Sequence, residues 1–438
     1  MKAFMKLLIF FVCLTMAAIG QTKPEDIKTF QLKNGMKIMV LEDHSIPNAN
    51  MYLFWRVGSR NEYPGITGLS HFFEHMMFNG AKKYGPKEFD RTMEAAGGSN
   101  NAYTTENVTV YTDWFPSSSL ELMFELEADR IANLNFNDKM IESERGVILS
   151  ERSTGLENSN WEYLNQELLG VSMVAHPYHW PVIGYESDIK GWQKKDLQNY
   201  FKTYYAPNNG SVVIVGDVNF DEVKKLAEKY FEPIPAQDPP RKIHTVEPNQ
   251  LGEKRIFVKK DVFTPNVLFA YHVPATGSED FYALELLNSI LTSGNSSRLY
   301  SSIIDKQQLA TDVETYFPQA FDPFLFFIYA VANDGVSALQ LENAIEDELS
   351  KIISEGVSEN ELQKVKNQKL SEFYHSLETI NGKANTLGTY EMFFGDYKKM
   401  FDAPKDFKKV TTEDIKRVAA KYFVKTNKTI GIMQGEEN

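Results

Sequence analysis

The chain has 438 residues, 42% of them hydrophobic, and a formal net charge of −13. That length suits two or more domains with sizeable cores, and the acidic balance disfavours nucleic acid and anionic membrane surfaces as partners. Cys13 is the only cysteine, which excludes an intramolecular disulfide and leaves stability to packing.

Residues 1–20 read as a signal peptide. Lys2 and Lys6 precede an apolar run over 7–20, and Ala18-Ile19-Gly20 resembles a small-residue cleavage site before Gln21. The run is short for a membrane span, so export to the periplasm with cleavage is expected, without stable membrane insertion. Cys13 follows Phe11-Val12, which are not the small residues that lipoprotein processing prefers. Loss of Lys2 and Lys6 lowers the net charge by two, to −15, and leaves no cysteine.

Residues 21–235 alternate strand-like runs (36–41, 51–57 and 211–215) with amphipathic helical stretches. Among the latter is His71-Phe72-Phe73-Glu74-His75. Residues four apart share a helix face, so His71 and His75 can aim two imidazoles at one point with Glu74 beside them. Thr67 is the expected cap, Leu69, Phe72, Phe73, Met76 and Met77 make the helix apolar, and Gly80 offers a stop. Two histidines and a glutamate in such a helix are costly unless satisfied, and a bound cation satisfies them directly. A catalytic zinc takes three protein ligands and keeps one position open, so a carboxylate from elsewhere is expected. Glu74 is then the general base that takes a proton from the attacking water.

In 137–152, Asn137 is the expected helix cap, and Ile141, Glu144, Ile148 and Glu151 recur at steps of three, four and three. Two carboxylates therefore lie on an apolar stripe, whereas Glu142, Arg145 and Arg152 point elsewhere and read as surface charge. Glu144 and Glu151 become candidates for holding the metal or supporting a ligand, with a pair of buried salt bridges as the competing reading. Farther on, prolines flank His176 and His179 in Ala175-His176-Pro177-Tyr178-His179-Trp180-Pro181 and deny them a regular helix, so a second metal site is not expected there.

Pro233, Pro235, Pro239, Pro240 and Pro248 mark a linker over 236–250, and 251–438 repeats the alternation, with strands at 267–273 and 324–331 and helices at 337–353 and 359–377. An internal echo supports two related halves. Residues 197–215 read helix, Tyr204-Tyr205, Asn208-Asn209, strand, and 415–433 read helix, Tyr422-Phe423, Asn427, strand. No glycine-rich loop ends in a phosphate-binding lysine and no serine sits in a nucleophile elbow, so nucleotide and serine-hydrolase chemistry are not expected.

His71, Glu74, His75 and Glu151 occur with Leu32-Lys33-Asn34-Gly35, Val57-Gly58-Ser59-Arg60, Gly68-Leu69, Phe78-Asn79-Gly80, Gly97-Gly98, Asn101-Ala102-Tyr103-Thr104 and Glu127-Ala128-Asp129-Arg130. In this order they resemble the inverzincin zinc metallopeptidases of the pitrilysin and insulysin type, especially the mitochondrial-processing-peptidase-like branch. The resemblance implies an α+β fold of two homologous domains, each an antiparallel-rich sheet flanked by helices, that together form half of a clamshell. It implies one Zn2+ per chain on His71, His75 and Glu151, with Glu74 as base and Glu144 orienting a ligand histidine. It also places Asn101 and Ala102 on an edge strand that pairs with an extended substrate. From composition alone, a tight turn after Gly97-Gly98 suits those two residues nearly as well.

Family members that bind substrate carry, in the second domain, an arginine seven residues before a tyrosine. Aligned on Asp305-Lys306-Gln307-Gln308-Leu309-Ala310, those positions hold Ile304 and Thr311, neither of which can donate to a developing oxyanion as that pair does. Three readings remain open: a heterodimer with a homologous subunit that lacks the zinc motif and brings the pair; a homodimer or monomer using donors such as Tyr300 or Tyr316; or an alignment displaced by a few residues. The expectation is an exported zinc endopeptidase acting on peptides or unfolded polypeptide. The contrasting expectation is a non-catalytic binding or assembly subunit.

Overall fold

The computed structural model describes residues 22–135 and 137–435, so the signal-peptide expectation, with Lys2, Lys6 and Cys13, lies outside the described residues. The first half builds a six-stranded sheet from β1 (Ile27–Gln31), β2 (Lys37–Glu42), β3 (Asn48–Trp55), β4 (Ser99–Thr104), β5 (Thr109–Pro116) and β6 (Gly210–Gly216). Their order is β1-β2-β6-β3-β5-β4, with β2 and β6 parallel and every other neighbour antiparallel. All seven residues of β6 are buried, which is why it reads as a continuous apolar run: both faces of the sheet are covered.

The helices of this half are α1 (Leu69–Met76), α2 (Glu88–Ala95), α3 (Leu120–Asn133), α4 (Asp138–Asn158), α5 (Asn160–Ser172), α6 (Glu186–Gly191), α7 (Lys194–Tyr204) and α8 (Phe220–Tyr230). Leu69, Phe72 and Phe73 of α1 join Ile38, Val40, Leu53, Val212 and Ile214 of the sheet in one core. The Phe73 ring lies parallel to that of Tyr200 at 5.9 Å, and Phe72 meets Trp192 edge-on at 5.2 Å. These aromatic contacts fix the helix that carries the two histidines.

The second half repeats the plan. Its strands are β7 (Lys254–Lys259), β8 (Asn266–Val273), β9 (Ala310–Tyr316), β10 (Phe324–Ala332) and β11 (Lys428–Gln434), in the order β7-β11-β8-β10-β9. Without β1, the first sheet matches it strand for strand, including one parallel pair, β7 with β11, at the same place. The helices are α9 (Phe281–Thr292), α10 (Ala338–Glu355), α11 (Glu359–Ser376), α12 (Ile380–Phe394), α13 (Ala403–Lys409) and α14 (Thr412–Tyr422). Both members of the sequence echo, α7 with β6 and α14 with β11, thus occupy equivalent places. Residues 235–253, which span the expected linker, form neither helix nor strand.

The halves also exchange helices. α12 covers the outer face of the first sheet, packing Ile380, Ala384 and Leu387 on Met39, Phe54, Val213 and Val215. α5 does the converse, packing Leu164, Leu168 and Leu169 on Leu268, Ala270, Leu325 and Phe327 of the second sheet. Polar ties hold both: Tyr52 donates to Asn381 at 2.5 Å, and Lys254 donates to the Val171 carbonyl at 2.8 Å.

Candidate metal centre

α1 begins at Gly68, whose φ of 89° places it in the left-handed region that glycine tolerates. Gly184, at φ 82°, packs directly on it, and a Cβ on either residue would collide with the other segment. Thr67 does not cap the helix as expected. Its hydroxyl donates to Asp188 Oδ2 at 2.8 Å, and the capping falls to Glu62, which accepts the N–H of Gly68 at 2.7 Å and of Ser70 at 2.8 Å. Glu62 is 4% exposed, and burial pushes its carboxyl up to about 8 against the pull of those donors.

On α1, the rings of His71 and His75 stand 4.7 Å apart at 75°. Across from them, α4 brings up Glu151, whose two oxygens lie 3.8 Å from His71 Nε2 and 3.6 Å from His75 Nε2. One donor atom from each of the three residues falls within a mutual 4.8 Å. Donors about 2.1 Å from a tetrahedral zinc are separated by about 3.4 Å, so two imidazole nitrogens and a carboxylate oxygen at these distances fit the ion. Burial, with His75 adding to it, lowers the His71 imidazole to about 4 and leaves it neutral, as a ligand must be.

Glu144 stands behind His75. Its Oε1 meets His75 Nδ1 at 2.7 Å, and its Oε2 accepts from Asn79 Nδ2 at 2.6 Å. Burial works to raise the Glu144 carboxyl, but the hydrogen bonds from His75 and Asn79 win and hold it below its ordinary range. With Nδ1 engaged, the other ring nitrogen of His75 is left for the cation. Glu74 points to the same space, with Oε2 accepting from the Thr104 hydroxyl of β4 at 2.6 Å, and burial raises its carboxyl despite that bond.

The expected α4 stripe is present, capped by Asn137, which accepts from Met140 N at 3.0 Å. Ile141 and Ile148 are buried, but the stripe runs out into a cleft: the Glu144 side chain is 12% exposed and that of Glu151 is 49% exposed. Arg145 and Arg152 are not the surface charges expected. Both are buried, because the segment from α6 into α7 closes over Arg145, whose guanidinium donates to the carbonyls of Ile189 and Trp192, and α5 closes over Arg152. Asn101 and Ala102 lie on β4, which is an edge strand and not a turn, and Ala102 lines the cleft with the metal-site residues.

The cleft has a volume of about 1240 Å³ and runs along α4 between β4, α5 and residues 181–183. His176 and His179 stay outside the metal cluster: His176 Nε2 faces Asp322 at 3.3 Å and His179 Nδ1 meets the Met173 carbonyl at 2.8 Å. Ile304 sits in a π-helical turn (Tyr300–Lys306) and Thr311 on β9, the edge strand of the second sheet. Sequence reasoning assigned no role to Glu62 or Thr104. Glu62 carries no local signal, since the helix it caps starts seven residues later. Thr104 ends the run Asn101-Ala102-Tyr103-Thr104, and the alternation of β4 places it and Ala102 on one face.

Two family models match the chain: insulinase (peptidase family M16) over residues 37–178 and the peptidase M16 inactive domain over residues 191–369. The zinc protease PqqE of Helicobacter pylori is 33% identical over 408 residues, covering 91% of this chain and 90% of its own length. An uncharacterized zinc protease of Bacillus subtilis, YmxG, is 24% identical, covering 91% of this chain and 96% of its own. A protease from Helicobacter pylori superposes with a TM-score of 0.90 at 31% identity, over 93% of this chain and 99% of that one. The periplasmic protease PqqL from Escherichia coli superposes with a TM-score of 0.77 at 20% identity, over 95% of this chain but 48% of its own. With relatives named zinc proteases along nearly its whole length, and with a cluster able to take the metal, this chain belongs to peptidase family M16.

Proposed function

We propose that this protein is an exported zinc-dependent endopeptidase that hydrolyses peptides or unfolded polypeptide segments, holding one zinc ion on His71, His75 and Glu151. The convergence of those three side chains beside Glu74 on the wall of a deep cleft carries the reading. When bound, zinc supplies a Lewis acid for the scissile carbonyl and for water. Glu74 takes the proton of the attacking water and returns it to the leaving amine, with no covalent intermediate. Its raised carboxyl suits both transfers, and the Thr104 hydroxyl holds one of its two oxygens. The free edge of β4 lies next to this site, where an extended substrate, paired along Asn101 and Ala102, would present its backbone to Glu74.

Ile304 has no donor and the Thr311 hydroxyl is turned to the Val331 carbonyl, so neither takes the place of an arginine and tyrosine, and the proposal includes a homologous partner subunit that lacks the zinc motif and supplies that pair, with a homodimer as the alternative. That PqqL spans about twice this chain supports a pairing of two such units. The leader over 1–20 is part of the same proposal, and N-terminal mass determination of the purified protein checks for a start at Gln21.

Glu74→Gln tests the chemistry. It should keep about one equivalent of zinc and lose about 10²- to 10⁴-fold in cleavage of a quenched peptide library. Surviving turnover removes Glu74 from the base role, and failure of the wild type to hold zinc favours the non-catalytic binding or assembly subunit. Activity of the isolated chain equal to that of every mixture with candidate subunits removes the partner.

A further inference from the structure

The cleft contains a cation that the proposed chemistry does not use. Arg152 follows the carboxylate ligand on α4, and it is 9% exposed. Its Nη2 donates to Gln166 Oε1 at 2.7 Å, but its Nε is buried without a partner, and it forms no ion pair with any described carboxylate. On the facing helix α5, Asn165 Oδ1 is likewise buried and unpaired. Arg152, Asn165 and Gln166 all line the cleft, together with the apolar Leu156, Leu169 and Ile183.

A buried guanidinium without an anion is costly, and an incoming carboxylate removes the cost through charge-assisted bonds. The carboxamide of Asn165 can turn to present its N–H₂ to the same group. We propose that Arg152, held in place by Gln166 and with Asn165 beside it, forms a subsite for a carboxylate of the substrate. This rests on the reading of the cleft as a peptidase site. An Asp or Glu side chain and the chain terminus of a short peptide share this chemistry.

The test uses the full, zinc-loaded Glu74→Gln chain, which binds without turnover, and fluorescence anisotropy of labelled peptides. A single Glu is walked through each peptide, matched by Gln at every position, and each peptide is made with a free and an amidated C-terminus. One Glu position, or the free terminus, should bind at least about tenfold more tightly than its neutral counterpart. Arg152→Gln should erase that difference, and Arg152→Lys should keep only part of it. Equal binding of matched peptides, or a preference that survives Arg152→Gln, overturns the subsite. Should Arg152→Gln fail to fold, an undiminished preference in Arg152→Lys overturns it. In the wild-type chain, assayed alone and mixed with candidate partner subunits, hydrolysis without a carboxylate preference overturns the subsite alone, whereas a binding preference without hydrolysis in any of these mixtures overturns the peptidase reading alone. No binding of any peptide overturns both.

Discussion

Glu144 sets the orientation of one ligand histidine, and its worth can be measured apart from hydrolysis. It touches His75 Nδ1 on one oxygen and Asn79 on the other, so Glu144→Gln keeps the shape but removes the anion. Zinc affinity should fall about 10- to 100-fold, read by competition with a chromophoric chelator. An unchanged affinity would mean that the imidazole is held by packing alone. At this scale much of the site was legible in the sequence, because i, i+4 spacing and the α4 stripe bring His71, His75, Glu144 and Glu151 to shared faces. Arg145 and Arg152 were misread for a physical reason. A helical projection shows which way a side chain points from its own helix, but not that α5 and the α6–α7 segment pack over that direction.

Elements carry a different kind of information. The strands over 267–273 and 324–331 were visible as β-branched and aromatic runs, and the structure extends each by only one residue, to Asn266–Val273 and Phe324–Ala332. Their partners were not visible, because pairing β7 with β11 joins segments that the whole half separates. The same long-range contacts tie α14 to α9. Asp280, just before α9, accepts from Lys421 Nζ at 2.8 Å, Tyr422 Oη at 2.6 Å and Arg417 Nη1 at 2.5 Å. Burial pulls its carboxyl up, but those three donors prevail and hold it down at about 2. The folded value is depressed below the unfolded one, near 3.9, so this stabilisation is present above about pH 4 and is lost as the pH falls through about 2. Asp280→Asn should therefore lower the urea midpoint fully at pH 5 and by less at pH 3. A constant gap between the two proteins would show that packing and not charge is at stake.

For the molecule as a whole, the exchanged helices decide whether two halves behave as two domains. Each sheet has one face covered by a helix from the other half, so neither half can unfold without exposing the core of its neighbour. This arrangement was not legible from the duplication, since an amphipathic helix such as α5 shows that it buries a face but not against which sheet. It follows that both halves should unfold in one transition despite the length of the chain. Trp161 on α5 reports on the junction directly, with its ring 5.8 Å from Phe327 and 5.4 Å from Tyr329 of the second sheet. The other tryptophans, Trp55, Trp114, Trp180 and Trp192, all belong to the first half. Tryptophan fluorescence and far-ultraviolet circular dichroism should therefore give coincident urea curves. Leu164→Ala and Leu168→Ala remove side chains that are wholly buried on the second sheet, and each should cost about 2–5 kcal/mol. Because the cost falls on a shared interface, both probes should shift together in each variant. Separation of the two curves, with circular dichroism retaining a second transition after the fluorescence change is complete, would show that the halves fold independently and that the exchange contributes little to holding Glu151 against α1.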